Sequence, residues 1–203
     1  IGEQSDGPVL LLDHADNCMS GATQDTMHVL DAALRLGLTG IGVGPVRDPQ
    51  AVARMVEAGI GNRVTLPVGG KVDMPSIGRN GEPMPLTGTV RNITDGEYTI
   101  TGPQFTGLRC YMGRTAVLDT GRAQIVVTER NQEPWDRGVF ESVGLRPERQ
   151  RYLLLKSRMY YRPVFLPIAK GAVLCDGVGV ASSDWSQFTY RNVRRPIYPL
   201  DDP

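Results

Sequence analysis

The chain is short of the residues that chemistry and cross-linking most often use. It carries two histidines in 203 residues, His14 and His28, which leaves few imidazoles for a metal centre. Its three cysteines, Cys18, Cys110 and Cys175, are odd in number, far apart and without CxxC spacing, so a disulfide framework is excluded and a reducing, cytoplasmic setting is expected. Excess charge of either sign is also missing. Lys and Arg total 22 against 22 Asp and Glu, and no net field draws in nucleic acid or an anionic membrane. The one basic cluster, Arg191, Arg194 and Arg195, is too narrow for a nucleic-acid face and reads as solvated or carboxylate-paired surface. No apolar run approaches the roughly 18–20 residues of a membrane span. The start, Ile1-Gly2-Glu3-Gln4, lacks the basic and apolar regions of a signal peptide. It also lacks a methionine, as expected of a processed product or a piece of a longer protein.

Enough apolar material is present, at 40% of residues, to fill a core without disulfides or metal. Repeats, low-complexity tracts and a clear linker are absent, so residues 1–203 read as a single domain. The first third alternates strand and helix. Pro8 to Asp13 is a buried strand, and Gln24 to Leu36 is a helix with Met27, Leu30, Ala33 and Leu34 on one stripe, stopped by Gly37. Ile41 to Val43 is a second strand. Asp48-Pro49 caps a second helix, Gln50 to Ala58, and Val64 to Val68 is a third strand. That βαβαβ order predicts a mostly parallel sheet with right-handed crossovers. The middle reads as antiparallel hairpins, with strands at Thr89–Ile93, Tyr98–Thr101, Ala116–Asp119 and Gln124–Val127. Short helices follow at Asp136–Val143 and Pro163–Lys170, strands at Tyr152–Lys156 and Val173–Cys175, and then an extended tail from Ser182. The fold class is α/β: a mixed sheet with an N-terminal βαβαβ unit plus antiparallel hairpins, helices packed on the sheet.

One stretch carries more chemistry than any other. Val9 to Leu12 end in Asp13-His14-Ala15-Asp16-Asn17, two carboxylates, an imidazole and a carboxamide just past a buried strand. Ligands of open α/β sheets sit beyond the carboxyl ends of strands. A hydrolytic zinc site needs three protein ligands and an open position. Neighbours on a strand face opposite ways, so Asp13 and His14 share a metal only if the strand has already broken into a turn. His28 sits on a helix flank with nothing to bring it to His14. Three readings stay open: a self-contained metal site, a turn network in which Asp13 and Asp16 accept loop N–H donors, and one wall of a larger site in which His14, Asp16 and Asn17 bind substrate or orient ligands.

Other motifs carry less. Cys18, four residues after His14, suggests a thiol nucleophile, but a free cysteine is more often a small buried apolar residue. Gly69-Gly70-Lys71 lacks phosphate-loop spacing and reads as a tight turn, with Lys71 a candidate for a substrate carboxylate. Lys156-Ser157 is poorly placed as a nucleophile pair because adjacent strand residues point apart. Trp135 and Trp185 are candidate interface or satellite-core residues, and Tyr160, Tyr161 and Phe165 read as core.

Taken in order, Asp13-His14-Ala15-Asp16-Asn17, Val43-Gly44-Pro45 with Asp48-Pro49, Val68-Gly69-Gly70-Lys71, Val126-Val127-Thr128 before Asn131-Gln132, Lys156-Ser157 through Tyr160 and Phe165, and Arg194-Arg195-Pro196-Ile197-Tyr198-Pro199-Leu200-Asp201 resemble the C-terminal domain of the microcystinase C (MlrC-like) metallopeptidase family. The chain departs from that pattern at Cys18-Met19-Ser20-Gly21-Ala22, where the family has Pro and a Gly-rich stretch. The resemblance implies a bacterial-type protein of twice this length or more, with zinc ligands in an absent N-terminal domain and no cofactor in this one. It implies a peptide-like or amide substrate, the N-terminal catalytic domain of the same polypeptide as partner, and scope for a homo-oligomer. Asp13, His14, Asp16, Asn17 and Lys71 then line the cleft or support it from behind, and the isolated domain is expected to be inactive. The alternatives are a stand-alone α/β hydrolase with its site at the Asp13–Asn17 loop, or a non-catalytic binding module.

Overall fold

The structure is a computed structural model and describes residues 7–201. The expectations placed on Ile1 to Gln4 lie outside the described residues. Among those residues, no helix is long and apolar enough to cross a membrane.

An eight-stranded mixed sheet runs in the order β10-β1-β9-β2-β8-β7-β4-β3. Its parallel part joins β10 (Gly171–Cys175), β1 (Val9–Asp13), β9 (Tyr152–Leu155), β2 (Ile41–Arg47) and β8 (Ala123–Thr128). Its antiparallel part adds β7 (Thr115–Asp119), β4 (Met84–Thr94) and β3 (Arg63–Val68). β5 (Glu97–Thr99) and β6 (Arg109–Tyr111) form a separate two-stranded hairpin. The helices are α1 (His28–Arg35), α2 (Pro49–Ala58), α3 (Gly138–Glu141) and α4 (Arg162–Phe165).

The central strands are continuous apolar runs because both faces of the sheet are covered. Leu11, Val43, Ile125 and Leu154 face one core with Val29, Leu30 and Ala33 of α1 and Ala51, Val52 and Met55 of α2. Their neighbours Leu10, Leu12, Val126, Leu153 and Leu155 face a second core with Val139 and Phe140 of α3 and Val164 and Phe165 of α4. The period of two along each strand splits the run between two layers.

The βαβαβ order of elements is present, but its strands do not lie side by side. β9 sits between β1 and β2, and β3 lies at the far edge, paired with β4 and antiparallel to it. The reason is visible in β3. Leu66 and Val68 are buried while Thr65 and Pro67 are exposed, the half-buried alternation of an edge strand, and proline is tolerated there. β2 continues past Val43 to Arg47, with a register shift between Val43 and Val46 that accommodates Gly44-Pro45. Asp48 then caps α2, accepting from Ala51 N at 2.9 Å, with Pro49 in the first turn. α1 begins at His28, not Gln24, because residues 24–26 are drawn into polar contacts described next.

Candidate active-site wall at the carboxyl edge of the sheet

β1, β9, β2 and β8 are parallel, so the segments that follow them emerge at one edge. β1 stops at Asp13 and His14–Asp16 forms a tight 3-10 turn. The strand has therefore broken where a shared site needs it to, and Asp13 and Asp16 come to the same cation. Their Oδ2 atoms lie 2.9 and 2.7 Å from Lys156 Nζ, which extends from the end of β9. Lys156 also donates to the carbonyl of Thr26. Lys156, Asp13 and Asp16 are all essentially inaccessible. Burial works against the ammonium, but the two carboxylates outweigh it and hold Lys156 charged, above the ordinary lysine range.

The two aspartates are not equivalent. Asp16 Oδ1 accepts from Thr23 Oγ1 at 3.0 Å and Gln24 N at 2.7 Å, and Oδ2 from Thr26 N at 2.8 Å and Thr26 Oγ1 at 3.0 Å, besides Lys156. These bonds pull residues 23–26 out of the helix. Among the described residues Asp13 has only Lys156, and its Oδ1 finds no partner. Burial pushes the Asp13 carboxyl up, against the pull of Lys156.

Asn17 is buried and caps the next turn, its Oδ1 accepting from Ser20 N at 2.9 Å. The departure at Cys18–Ser20 thus still folds as a compact turn, closed by Gly21 at φ 91°. His14 is 9% exposed, and its Nδ1 has no partner among the described residues. His28 stands apart, 3.4 Å from Glu82. Lys71 belongs to a neighbouring network: its Nζ donates to both oxygens of Asp48, at 2.8 and 2.7 Å, and its backbone N to Asp25. Gly69 and Gly70 at φ 61° and 55° form the tight turn that leads there, where a Cβ would strike the carbonyls of Asp25 and Glu82.

Lys156 and Ser157 do point apart. The Ser157 hydroxyl donates to Oε1 of Glu133, a residue that no sequence motif singles out. Glu133 is 1% exposed, and its Oε2 has no partner among the described residues. Burial raises its carboxyl to about 7, with the Ser157 and Asn17 side chains holding it down. Only the acid beside Pro134-Trp135, soon after a buried strand, could have marked it. Gln24 holds that segment in place. Its side chain donates to Gln132 O at 2.6 Å and accepts from Gln132 N at 2.8 Å, while its own backbone sits at φ 61°. Trp135 packs between Phe105 and Tyr160, with ring centroids at 5.2 and 6.2 Å. Tyr161 and Phe165 are core; Trp185 is exposed.

Chemically, the edge offers few free ligands. Among the described residues, no group of three or more His, Cys, Asp or Glu is placed to hold a metal ion. Asp13 and Asp16, the best candidates, already surround an ammonium. Cys18 is poorly suited to act as a nucleophile, because burial, with Glu133 and Asp16 nearby, pushes its thiol up to about 12.

Comparison with known proteins places this geometry. The family described as "MlrC C-terminus" matches residues 11–192. Microcystinase C of Sphingomonas sp is 31% identical over 199 residues, which is 96% of this chain and 36% of that protein. A crystal structure of a "putative metallopeptidase" from Mesorhizobium sp. BNC1 shares the fold with a TM-score of 0.82 and 28% identity, over 98% of this chain and 39% of that one. The chain therefore spans less than two-fifths of either relative's length.

Proposed function

The chain belongs to the MlrC C-terminal domain family, and from that membership we propose that it is the C-terminal domain of a metallopeptidase-type amide hydrolase. In this reading the carboxyl edge of the sheet packs on an N-terminal catalytic domain and forms one wall of the substrate cleft. The metal, zinc by the family's precedent, is held by that other domain. The observation that carries the reading is the Lys156 ammonium seated between Asp13 and Asp16. A zinc site needs three protein ligands and an open position, and here the two carboxylates are already committed. Among the described residues, no donor set of this domain fits the metal.

Burial divides the wall into two tiers. Asp13, Asp16 and Asn17 are closed off and shape the loop from behind. His14 and Lys71 keep some exposure, 9% for the residue and 21% for the side chain respectively, and these are the groups that reach a peptide-like substrate. Metal analysis and an amide-cleavage assay test the reading on two proteins, the 203-residue chain and the full-length parent. The parent is expected to hold the metal and turn over, and the 203-residue chain to do neither. His14→Ala in the parent should lower kcat/KM on the order of tenfold, as loss of one hydrogen bond to substrate does, while metal content stays unchanged. Stoichiometric metal or turnover in the 203-residue chain, with metal lost in His14→Ala, would instead establish the stand-alone hydrolase. Unchanged turnover in the His14 variant would leave a binding module.

A further inference from the structure

At the opposite margin of the sheet from β3, strand β10 is uncovered in three directions. Among the described residues its outer edge pairs with nothing. It pairs inward with β1, Val173 beside Leu11 and Leu174 beside Leu12. Leu11 and Leu12 face different cores, so Val173 and Leu174 project from opposite faces of the sheet. Both are open to solvent, at 51% and 70% exposure. An apolar edge strand without an inward charge, a proline or a cover is what natural sheets avoid. Gly171-Ala172-Val173-Leu174-Cys175 has none of these devices. Its charges sit just outside it, Lys170 before and Asp176 after, both exposed and neither in an ion pair among the described residues.

We propose that β10 is a homodimer interface, where two copies of this chain join edge to edge and antiparallel about Val173 into one continuous sheet. Three independent features agree on this occupant and this register. The first is charge. Centred on Val173, the pairing sets Lys170 of each copy opposite Asp176 of the other, so the closed two-fold contact makes the same ion pair twice. The second is the backbone. Lys170 N donates inward to Pro8 O at 2.9 Å. Alternation along the strand then turns the N–H and C=O of Gly171, Val173 and Cys175 outward. A two-fold axis at Val173 places outward-pointing groups opposite outward-pointing groups, as an antiparallel ladder requires. The third is side-chain size. Val173 meets Val173, Leu174 meets Ala172, and Cys175 meets Gly171, so no large residue opposes another large one except at the axis. Leu36 and Leu38, which line the groove beside Val173, extend the apolar surface on the α1 face.

Light scattering on the 203-residue chain across a concentration series tests the pairing. A dimer is expected. Lys170→Asp and Asp176→Lys each replace two attractive cross-strand pairs by repulsive ones and should weaken it on the order of tenfold or more. The double variant restores both pairs and should recover the dimer. Val173→Pro removes an outward N–H that the monomer does not use, so the fold, checked by circular dichroism, is retained while the dimer is lost. A monomer at every concentration overturns the proposal, as does a dimer indifferent to both charge reversals, or a double variant no better than the singles. Hydrogen exchange in the full-length parent separates the remaining occupant. A Val173 amide protected equally in monomeric parent and at all concentrations means that the rest of the polypeptide covers β10, which also overturns the proposal.

Discussion

Two buried polar clusters share the carboxyl edge of the sheet, and they differ in how well they are supplied. Around Asp16, five hydrogen-bond donations reach one carboxylate, from Thr23, Gln24, Thr26 through N and Oγ1, and Lys156. Around Glu133, the Ser157 hydroxyl reaches Oε1, the Asn17 side chain lies near enough to hold the carboxyl down, and nothing among the described residues reaches Oε2. Both acids are equally inaccessible. A fully partnered buried network fixes one conformation, whereas an orphaned buried group costs stability for as long as it has no partner. Asp16 therefore reads as the anchor of the loop that bears His14. Glu133 is buried with one oxygen unpartnered among the described residues, a cost that Asp16 does not carry.

The largest expected effect breaks the anchor. Asp16→Ala strips the partner from two backbone amides and leaves Lys156 with one carboxylate, so it should cost about 3–5 kcal/mol. Asp13→Asn, at the carboxyl with one donor, should cost about 1–2 kcal/mol. Urea denaturation of both variants measures the gap. Equal losses would mean that the two aspartates are interchangeable and that the contrast in supply has no energetic content.

Glu133 answers to pH. Its folded value, about 7, lies above the ordinary 4.5 because burial penalises the charged form. The folded state then binds more protons than the unfolded state between those values, so the group's contribution is full at low pH. It is lost as pH rises through about 7, an amount of about 3 kcal/mol. Asp13, raised by burial as well, acts in the same sense. Glu133→Gln keeps the shape and removes the titration. Unfolding free energies at pH 5 and pH 8 should therefore differ less in the variant than in the unmodified chain by about that amount. The same slope in both would return Glu133 to an ordinary solvated acid.

How much of this was readable before folding follows from the range of the interactions. Buried strands announce themselves as short apolar runs, Val9 to Leu12 and Tyr152 to Leu155, and Asp48-Pro49 marks its helix because capping is local. The Asp13–Asn17 cluster was legible for the same reason. Strand order was not, since the insertion of β9 between β1 and β2 joins residues far apart in the chain. Edge position of β3 was legible in hindsight from Thr65 and Pro67. Lys156 was seen as one of a pair with Ser157, and its true partners lie 143 and 140 positions away. Glu133 carries no local mark, because its hydrogen-bond partner Ser157 lies 24 positions away. The helical stripe from Gln24 was sound in its periodicity, but Asp16 competes for the amides of Gln24 and Thr26 and wins.

That competition joins the two clusters through one residue. Gln24 gives its backbone N–H to Asp16 and clamps the backbone of Gln132 with its side chain, 108 positions along the chain and next to Glu133. It does so in a left-handed conformation, φ 61°, that costs a non-glycine residue of order 1–3 kcal/mol. Gln24→Gly relieves that strain and loses the two side-chain bonds, so the opposing terms leave global stability within about 1 kcal/mol of the unmodified chain. The local effect should be larger than the global one. Without the clamp the Gln132 amide should exchange with solvent faster, and the Glu133 segment should open independently of the Asp16 loop. Hydrogen exchange at Gln132 and at Thr26 separates the two. Faster exchange at Gln132 with Thr26 unchanged means that Gln24 transmits order from the anchored cluster to the orphaned one. Equal acceleration at both sites would make them a single unit, and the distinction between the anchored and the orphaned cluster would dissolve.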